Sequence, residues 1–554
     1  MWNRRSFLGA SAAIAAGGPL FAADRPLDVA LVGGRVWTGQ GGAPKRMAIG
    51  LSGDRITVLG DDAVKARITQ ATQVIDLDGA FVTPAFTDNH THFLLGATTL
   101  SQVSLREAAN RQAFADLIGQ AAKAKPGKWI LGGAWDEQLW GGDLPTREWI
   151  DAVTPDTPVA VARLDLHMYL LNSLALKLAG ITRDTPDPVG GVILRDAKGE
   201  PTGIIKDNAK ALVERAIPAA SDAEVDAIMR GGIAHGLAHG VAQAHVPELD
   251  WSTHHSLRRL RAVGETDMRF YSFVPLGDWE KLVALIKTEG RGDDWVRWGG
   301  LKGLSDGSLG SRTALFRQPY ADAHDNHGVH VTSLAHLREW ITAGDAHGLQ
   351  CTTHAIGDEA NDEVLDIYAE VARVNGPRDR RFRIEHAQHL SPTAAPRFAA
   401  QKVIASVQPY HAIDDGRWAI KPLGPERLAG TYAFASLLKT GATMTFGSDW
   451  PVAPLNPMEG VYAAATRRTI DGANPGGWLP DQKISVEQAM VAYTRNNAFA
   501  GFQEDRLGQI APGFLADIAV WDADLLAIDP VKIREVKALR TFVNGRQRFG
   551  PSDG

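Results

Sequence analysis

The sequence has a single cysteine, Cys351, among its 554 residues. One thiol cannot form a disulfide within the chain, so an oxidising compartment would add nothing to the stability of the fold. Positive charge is not in excess either, because the formal net charge is −6, and this argues against nucleic acid or an anionic membrane surface as a partner. Beyond the leader, no apolar run approaches the roughly 20 residues that a membrane-spanning helix needs. We therefore expect a globular protein with no nucleic-acid partner and, once the leader is removed, no integral association with a membrane.

The N-terminus has the pattern of an export signal. Arg4 and Arg5 precede a short apolar run, rich in alanine and glycine, that ends in small residues at 21–23. A basic start, a short apolar stretch and small residues at its end describe a signal peptide, and the paired arginines indicate the twin-arginine route. The run is broken by glycine and proline and is too short for a stable membrane span. We predict a signal peptide over residues 1–23 and export to the periplasm; a leader without an export function is the alternative.

The two ends of the chain share a β-rich pattern. Residues 24–80 and 500–554 contain short apolar strands separated by turns, and Asp78-Gly79 is a strong hairpin signal. A chain of 554 residues is too long for one ordinary domain. The pattern therefore predicts one small β domain, built from both ends, beside a larger domain.

Residues 81–499 show short apolar strands that alternate with amphipathic stretches, and this alternation indicates parallel βα units. Eight such units predict a (β/α)₈ barrel, in which the chemistry lies at the C-terminal ends of the strands. The span between His92 and about Gly240 is too long for a loop, so we predict an inserted subdomain at about residues 95–238. The predicted strands end near His90, His245, Val274, Lys302, His354, His386, Gln408 and Asp449.

The first predicted strand, Phe81 to Phe86, is followed by a His-x-His pair, His90 and His92. Residues two apart on a strand point to the same face, so both imidazoles can reach one ion at about 2.0–2.1 Å. The pattern is weak when it stands alone, since many such pairs have structural roles. Its position at the end of a barrel strand favours a metal site.

Four further polar residues stand at or near predicted strand ends. His354 and His386 end successive predicted strands, at 349–353 and 382–385, and each alone is more often a structural histidine than a ligand. Asp449 needs a partner, because a buried carboxylate is costly unless it is paired or bound to a cation. An ammonium such as that of Lys302 would be repelled by metal ions, so a surface lysine is the alternative at that position.

These residues stand in longer motifs that resemble one known family. The chain resembles the amidohydrolase superfamily, specifically its amidohydrolase-3, YtcJ-like branch, over essentially the whole mature chain. Each motif is modest alone, and the set is highly specific. The motifs are Thr87 to His92, Lys302 with Asp306 to Ala314, His354 to Asp358, Arg383 to Gln388, Ser406 to Pro409 and Gly447 to Val452.

The resemblance implies an α/β fold in which a composite β-sandwich, formed by both chain ends, lies beside a (β/α)₈ TIM-like barrel with an insertion after barrel strand 1. It also implies a metal centre at the barrel mouth that holds one or two divalent ions. The ligands that it implies are His90 and His92 for the first ion, His354 and His386 for the second, Lys302 between the two, and Asp449 on the first.

Two of these residues carry particular chemistry in the resemblance. Lys302 would be carboxylated by carbon dioxide, and the resulting carbamate is an anion that can bridge two cations. Asp449 would act as the general base. Zinc is the expected ion, because imidazole and carboxylate ligands with an open position suit it; iron, manganese or nickel are the alternatives.

The expected reaction is hydrolysis of a carbon–nitrogen bond in a small-molecule substrate. A metal lowers the pKa of a bound water to about 7 and polarises the carbonyl, while Asp449 takes the proton and returns it to the leaving nitrogen. A non-peptide amide, N-acyl or N-substituted, is the expected substrate. The same site acting on an ester, a lactone or a phosphoester is one alternative, and a metal-free binding or scaffold protein is another. The assembly is expected to be a monomer or a homo-oligomer.

Substrate contacts are expected from aromatic and hydrogen-bonding side chains, because tryptophans can line an apolar pocket. The alternative for Arg312 and Gln408 is that they hold the barrel mouth together by hydrogen bonds. Two departures from the family pattern, at residues 165–167 and 206–208, lie in the insertion and bear on the shape of the substrate. The candidate substrate-binding residues are Trp135, Arg312, Gln408, His411 and Trp450.

Overall fold

The computed structural model describes residues 26–163, 168–188 and 191–551. The predicted signal peptide at residues 1–23 and the segment Asp165-Leu166-His167 lie outside the described residues. Within these described ranges, no helix is both long enough and apolar enough to cross a membrane.

In the described part of the chain, eight parallel strands form the central sheet and follow one another in chain order. The first and last strands also meet, because the backbone N–H of Asn89 donates to the carbonyl of Phe446 at 3.1 Å and that of Asp449 donates to the carbonyl of His90 at 2.7 Å. The sheet therefore closes into the predicted (β/α)₈ barrel. Its strands, numbered one to eight here, are Phe86–Asp88, Val241–Pro247, Arg269–Pro275, Val296–Leu304, Gln350–Ala355, Arg383–His386, Ile404–Val407 and Met444–Phe446.

The barrel strands are buried on both faces, since helices cover the outside and side chains fill the inside. Every residue of Val241–Pro247, for example, is buried. This explains why these strands do not show the alternation of apolar and exposed polar residues that a half-buried strand has. The helices of this part are Phe93–Ser101, Asp222–Ala238, Ser252–Ala262, Trp279–Glu289, Leu334–Ala346, Asp358–Val374, Ala394–Gln401, Pro409–Asp415, Ile420–Leu423, Phe434–Lys439, Pro457–Thr466, Val486–Tyr493 and Arg495–Ala500.

The apolar run Phe81 to Phe86, predicted as one barrel strand, is divided between two sheets. Phe81–Pro84 pairs antiparallel with Ile518–Trp521 in a sheet at the chain ends. After Ala85, the backbone N–H of Phe86 donates to the carbonyl of Gly240 at 2.9 Å, and barrel strand one begins there. The prediction of a single barrel strand from Phe81 is therefore wrong, because a run of apolar residues does not show which sheet each half joins.

Both ends of the chain contribute to two further sheets that pack face to face. Leu31 and Ile49 of one sheet share a buried core with Val82, Ile518 and Phe542 of the other, which is a sandwich. The helix Asp61–Lys65 lies between the strands Arg55–Leu59 and Gln73–Asp76 of the first sheet. The strands are Val29–Val32, Ile49–Ser52, Arg55–Leu59 and Gln73–Asp76 in the first sheet, and Arg35–Val36, Lys45–Arg46, Phe81–Pro84, Ile518–Trp521, Ala538–Val543 and Arg546–Phe549 in the second.

Between barrel strands one and two, the chain forms a separate mixed sheet with its own helices, as the length of this span predicts. Its apolar core includes Phe114, Ile118, Trp135 and Val161. The strands are Val103–Ser104, Gly132–Trp135, Ala160–Arg163, Met168–Leu171, Gly191–Arg195 and Pro201–Asp207, and the helices are Arg111–Ala124, Ser173–Leu178 and Lys210–Glu214.

Candidate metal centre

The six ligands implied by the sequence come together at the C-terminal end of the barrel. The side chain of His90 is fully buried and does not line the cavity at this end of the barrel. Its ring centroid is 4.9 Å from that of His386. The rings of His354 and His386 are 4.4 Å apart between centroids. The other five side chains line one cavity of about 370 Å³; they are His92, Lys302, His354, His386 and Asp449.

The atoms of His90, His92 and Asp449 have the spacing of metal ligands. Oδ1 of Asp449 lies 3.4 Å from Nε2 of His90 and 3.3 Å from Nε2 of His92. Tetrahedral ligands that each stand about 2.0–2.1 Å from zinc are themselves about 3.3 Å apart. Nε2 of His90 is buried and has no hydrogen-bond partner among the described residues, and the buried Oδ1 of Asp449 faces Nε2 of His92 as its polar neighbour. A cation between them would satisfy both atoms, so this donor set fits a divalent metal ion.

A second group of possible ligands shares Asp449. The ligand atoms of His386, His411 and Asp449 all lie within 4.8 Å of one another. Nε2 of His411 is 3.9 Å from Oδ2 of Asp449, and within the described residues it has no hydrogen-bond partner. The sequence suggested His411 only as a substrate contact, whereas the geometry also places it among the possible metal ligands.

His354 is oriented differently from the other histidines. Its Nε2 lies 3.0 Å from the carbonyl oxygen of Gly307 and 3.6 Å from Oδ1 of Asp306. A carbonyl oxygen only accepts, so Nε2 donates to it and the lone pair of the neutral ring is on Nδ1. Nδ1 is therefore the atom of His354 that a metal ion would use.

Lys302 lines the cavity among these groups. Burial lowers the pKa of its ammonium to about 8, although the carboxylates of Glu385 and Asp449 oppose that shift. A lowered pKa increases the share of neutral amine near neutral pH. The neutral amine is the form that reacts with carbon dioxide.

Glu385 is a central residue that the sequence analysis missed. Its carboxylate is fully buried and lies 2.6 Å from Nδ1 of His90. It also accepts from the hydroxyls of Ser406 and Thr352, at 2.5 Å each. Burial alone would raise the pKa of this carboxyl, but the charge of Arg383 and the contact with His90 hold it well below its usual value. The available signal was the pair Arg383 and Glu385, because opposite charges two apart on a buried strand point to the same side.

The carboxylate of Glu385 fixes the orientation of the His90 ring, and His92 and His386 have partners of the same kind. Nδ1 of His92 lies 3.1 Å from Oε2 of Glu248, and Nδ1 of His386 lies 2.8 Å from Oε1 of Gln408. A partner on one ring nitrogen leaves the other nitrogen to face the metal, which is typical of metal-bound histidines. Gln408 is almost fully buried and does not line the cavity. The prediction that it contacts the substrate is therefore corrected: it orients His386.

Protonation differs sharply between the two histidines of the first pair. Burial, together with the charge of Lys302, lowers the pKa of His90 to about 4. Burial also disfavours the charged form of His92, but hydrogen bonds to Asp449 and Glu248 outweigh it and raise the pKa to about 9. In the absence of a metal ion, a proton on His92 therefore partly neutralises Asp449, and metal binding has to displace that proton.

Three of the predicted substrate contacts lie away from the cavity. Trp135 is fully buried in the core of the insertion, where its indole N–H donates to the carbonyl of Val161 at 3.0 Å. Trp450 is stacked on His235, with ring centroids 5.5 Å apart. Arg312 forms an ion pair with Asp322 at 2.6 Å. None of the three lines the cavity, and packing and a surface ion pair account for the side chains, so their contact with a substrate stays a prediction.

The apolar side of the cavity comes from residues that the sequence analysis did not single out. Trp418 and Leu309 line it from the loops after strands seven and four, and Leu249 and Val452 line it as well. Leu249 and Val452 are exposed. Leu309 and Val452 lie within quoted motifs, but the motifs did not show that these side chains form one wall, because the wall exists only when the loops come together.

The fold and the site together define the class of protein. A family model described as the amidohydrolase family matches residues 73–549, so the chain belongs to this family of metal-dependent hydrolases. It is 38% identical to the protein LONG AFTER FAR-RED 3 of Arabidopsis thaliana, over 94% of this chain and 91% of that protein. It is 32% identical to the putative amidohydrolase YtcJ of Bacillus subtilis (strain 168), over 86% of this chain and 90% of the relative.

A more distant relative and a solved structure agree with this assignment. The N-substituted formamide deformylase of Arthrobacter pascens is 26% identical over 91% of this chain and 94% of its own length. The crystal structure of an uncharacterized metal-dependent hydrolase from Pyrococcus furiosus superposes with a TM-score of 0.74 at 27% identity, and the match covers 91% of this chain and 100% of that one.

Proposed function

We propose that this protein hydrolyses the carbon–nitrogen bond of a non-peptide amide, N-acyl or N-substituted, with a divalent metal ion at the barrel mouth. The observation that carries the proposal is the position of Asp449. One of its oxygens lies within 3.4 Å of two imidazole nitrogens, while its other oxygen faces His411. A carboxylate in this position can bind a metal ion and also exchange a proton with a substrate in the cavity.

Zinc is the proposed ion, because the donor set is imidazole and carboxylate. His90, His92 and Asp449 would hold one ion, and His354 and His386 a second, with carboxylated Lys302 between them. The ion supplies Lewis acidity that polarises a carbonyl and lowers the pKa of water. Carboxylation has a direct test: ¹³C-labelled bicarbonate should give a carbamate carbon signal in the purified protein, and Lys302→Arg should remove that signal.

Asp449 is the proposed proton carrier. Burial alone would raise the pKa of its carboxyl, but His90 and His92 hold it well below its usual value, so it is ionised at neutral pH. It can accept the proton of the attacking water and return it to the leaving nitrogen. His411, whose Nε2 lies 3.9 Å from the same carboxylate, would donate to the substrate carbonyl oxygen.

The cavity supports a substrate with an apolar group. Leu249, Leu309, Trp418 and Val452 line one side of it, and an alkyl or aromatic substituent would bury its surface against them. The relative from Arthrobacter pascens carries the name N-substituted formamide deformylase, which agrees with this class of substrate. We therefore propose a neutral amide whose nitrogen or acyl carbon bears such a group.

The test is a hydrolysis screen with the metal content measured in parallel. N-alkyl and N-benzyl formamides and acetamides should be turned over, and esters, lactones and phosphoesters of the same size should react more slowly. Turnover restricted to esters, lactones or phosphoesters would replace the amide proposal. Protein that contains less than about 0.5 metal ions per chain after metal-supplemented expression, and shows no change on chelation, would refute a metal enzyme altogether.

We also propose that the protein is exported to the periplasm by the twin-arginine route, because Arg4 and Arg5 precede a short apolar run. Replacing both arginines with lysine should retain the precursor in the cytoplasm. The matched control, replacement of Arg35 and Arg46 with lysine, should leave export unchanged. Equal periplasmic levels of all three proteins would contradict this route.

A further inference from the structure

A second cavity lies at the end of the barrel opposite the metal centre. Tyr271, Arg297 and Gln350 line it, and each stands near the beginning of its barrel strand. Lys302, on the same strand as Arg297, is about 16 Å further along at roughly 3.3 Å per residue. The cavity has a volume of about 280 Å³, and we call it the arginine cavity.

The charge of the arginine cavity is strongly positive. Arg291, Arg297 and Arg378 line it, against a single lining carboxylate, Asp379. That carboxylate already forms an ion pair with Arg381 at 2.8 Å. Arg291 and Arg297 have no carboxylate oxygen within 4.0 Å in the described part of the chain. Two guanidinium charges are therefore left without a counter-ion.

Gly348 creates a concave position between two of these guanidinium groups. A Cβ added to it would lie 3.5 Å from Nη1 of Arg378 and 3.7 Å from Nη2 of Arg291. Gly348 follows the end of the helix Leu334–Ala346 with a φ angle of +75°, as helix-terminating glycines do, and its carbonyl accepts from Nη2 of Arg291 at 3.0 Å. Nε and Nη2 of Arg378 donate to Asp345 and to the carbonyl of Leu349. Nη1 therefore remains available to a ligand.

Arg297 and Gln350 also line the arginine cavity. The guanidinium of Arg297 lies over the ring of Tyr271, 4.8 Å from its centroid. The side-chain amide of Gln350 is almost fully buried and donates to two backbone carbonyls, those of Arg381 and Ala500. Its Oε1 atom is buried and has no partner among the described residues. A buried acceptor without a donor points to a missing O–H or N–H group.

We propose that the arginine cavity binds the oxyanion group of a small organic molecule, a phosphate monoester or a carboxylate. Guanidinium groups are well suited to both, because they form paired hydrogen bonds with planar or tetrahedral oxyanions. Trp298 and Phe502 complete the lining and would contact an apolar remainder. A hydroxyl on the ligand, such as that of a monoprotonated phosphate, would satisfy Oε1 of Gln350. This site is independent of the reaction at the metal centre.

The test is isothermal titration calorimetry at constant ionic strength with phenyl phosphate, inorganic phosphate and benzoate. Phenyl phosphate should bind the wild-type protein more tightly than inorganic phosphate does. Arg291→Gln and Arg297→Gln should each weaken that binding about tenfold or more, since each removes a charged donor. The matched control is Arg338→Gln, because the Arg338 side chain is exposed and pairs with Glu370. It should change binding less than about twofold.

Binding that requires Arg291 and Arg297 but is tighter for benzoate would support the carboxylate form of the proposal. Equal affinities in Arg291→Gln, Arg297→Gln and Arg338→Gln would overturn it, because the anion would then bind elsewhere, for example at the metal centre. Absence of binding to the wild-type protein at millimolar concentration would also overturn it. Arg291 is exposed, so its variant should keep the wild-type unfolding temperature even if Arg297→Gln does not. None of these outcomes depends on turnover of an amide.

Discussion

Nε2 of His92 lies 3.3 Å from Oδ1 of Asp449. His92 follows the first barrel strand and Asp449 follows the last. They meet because these two strands are neighbours when the sheet closes. Without a metal ion, a shared proton stabilises the pair. In the proposed metal centre both atoms would be ligands, so the pair would connect metal binding to pH.

The first prediction concerns this proton. The pKa of His92 is raised from 6.5 to about 9, so in metal-free protein the charged pair contributes stability that is complete below pH 6.5 and is lost as the pH rises through 9. Metal binding must displace the same proton, so the apparent zinc affinity should rise about tenfold per pH unit between about pH 7 and 9. Competition with a chelator at several pH values measures this slope.

A variant provides the control for that prediction. Glu248→Gln removes a carboxylate that raises the pKa of His92, so the pH range of the slope should shift downward. A zinc affinity that does not depend on pH in either protein would contradict the assignment of His92 as a ligand.

The second prediction concerns Asp449 as the base. Asp449→Asn keeps the shape but removes the proton acceptor, so kcat should fall by about 10²–10⁴-fold. The control is Asp322→Asn, which removes a carboxylate that pairs with Arg312 and should retain nearly full activity. Hydrolysis by Asp449→Asn at a near wild-type rate, with metal bound, would show that another group is the base.

The third prediction concerns Glu385, which touches His90 rather than the metal. Glu385→Gln should lower metal affinity about 10–100-fold, because the ring of His90 loses the charge that orients it. Metal content after dialysis against a chelator measures the effect. Glu363→Gln, at a partly exposed position where the carboxylate contacts His330, should behave as the wild type. Unchanged metal retention in Glu385→Gln would mean that the barrel core alone orients His90.

The fourth prediction separates two tryptophans. Trp418 lines the cavity, so Trp418→Ala should raise KM for amides with an aromatic group and change the unfolding temperature little. Trp450 is buried against Phe93 and His235, so Trp450→Ala should reduce the free energy of unfolding by about 3–5 kcal/mol. Thermal unfolding and steady-state kinetics on both variants distinguish these roles. A larger KM change in Trp450→Ala than in Trp418→Ala would reverse the assignment.

Much of the barrel was predictable because each strand carries local information. The runs that end near His354 and His386 are of strand length, rich in β-branched or apolar residues and followed by a helix, so their length and their place in the βα alternation identified them as parallel strands. Phe81 to Phe86 was interpreted wrongly for the same reason. Its two halves are equally apolar, and only their partners, Ile518–Trp521 and barrel strand two, separate them.

The histidines that face the cavity were recognisable because their spacing and their motifs are local properties of the chain. Glu385, Glu248 and Gln408 were not identified as their partners, because their roles depend on which ring nitrogen they touch across neighbouring strands. Trp135 shows the converse. Its type suggested a substrate contact, yet the insertion buries it in an apolar core.

Residue types and their order along the chain were sufficient to assign the family, the barrel and the positions that would hold a metal ion, since these depend on periodicity and short motifs. Only the closed barrel and its loops showed whether a polar side chain lines the cavity, orients a histidine ring or packs in the core. Contacts such as His92 with Asp449, or Gln350 with the arginine cavity, join residues far apart in sequence. Packing determines which of them lose water and which find partners, and that is the physical reason why spacing alone could not assign their roles.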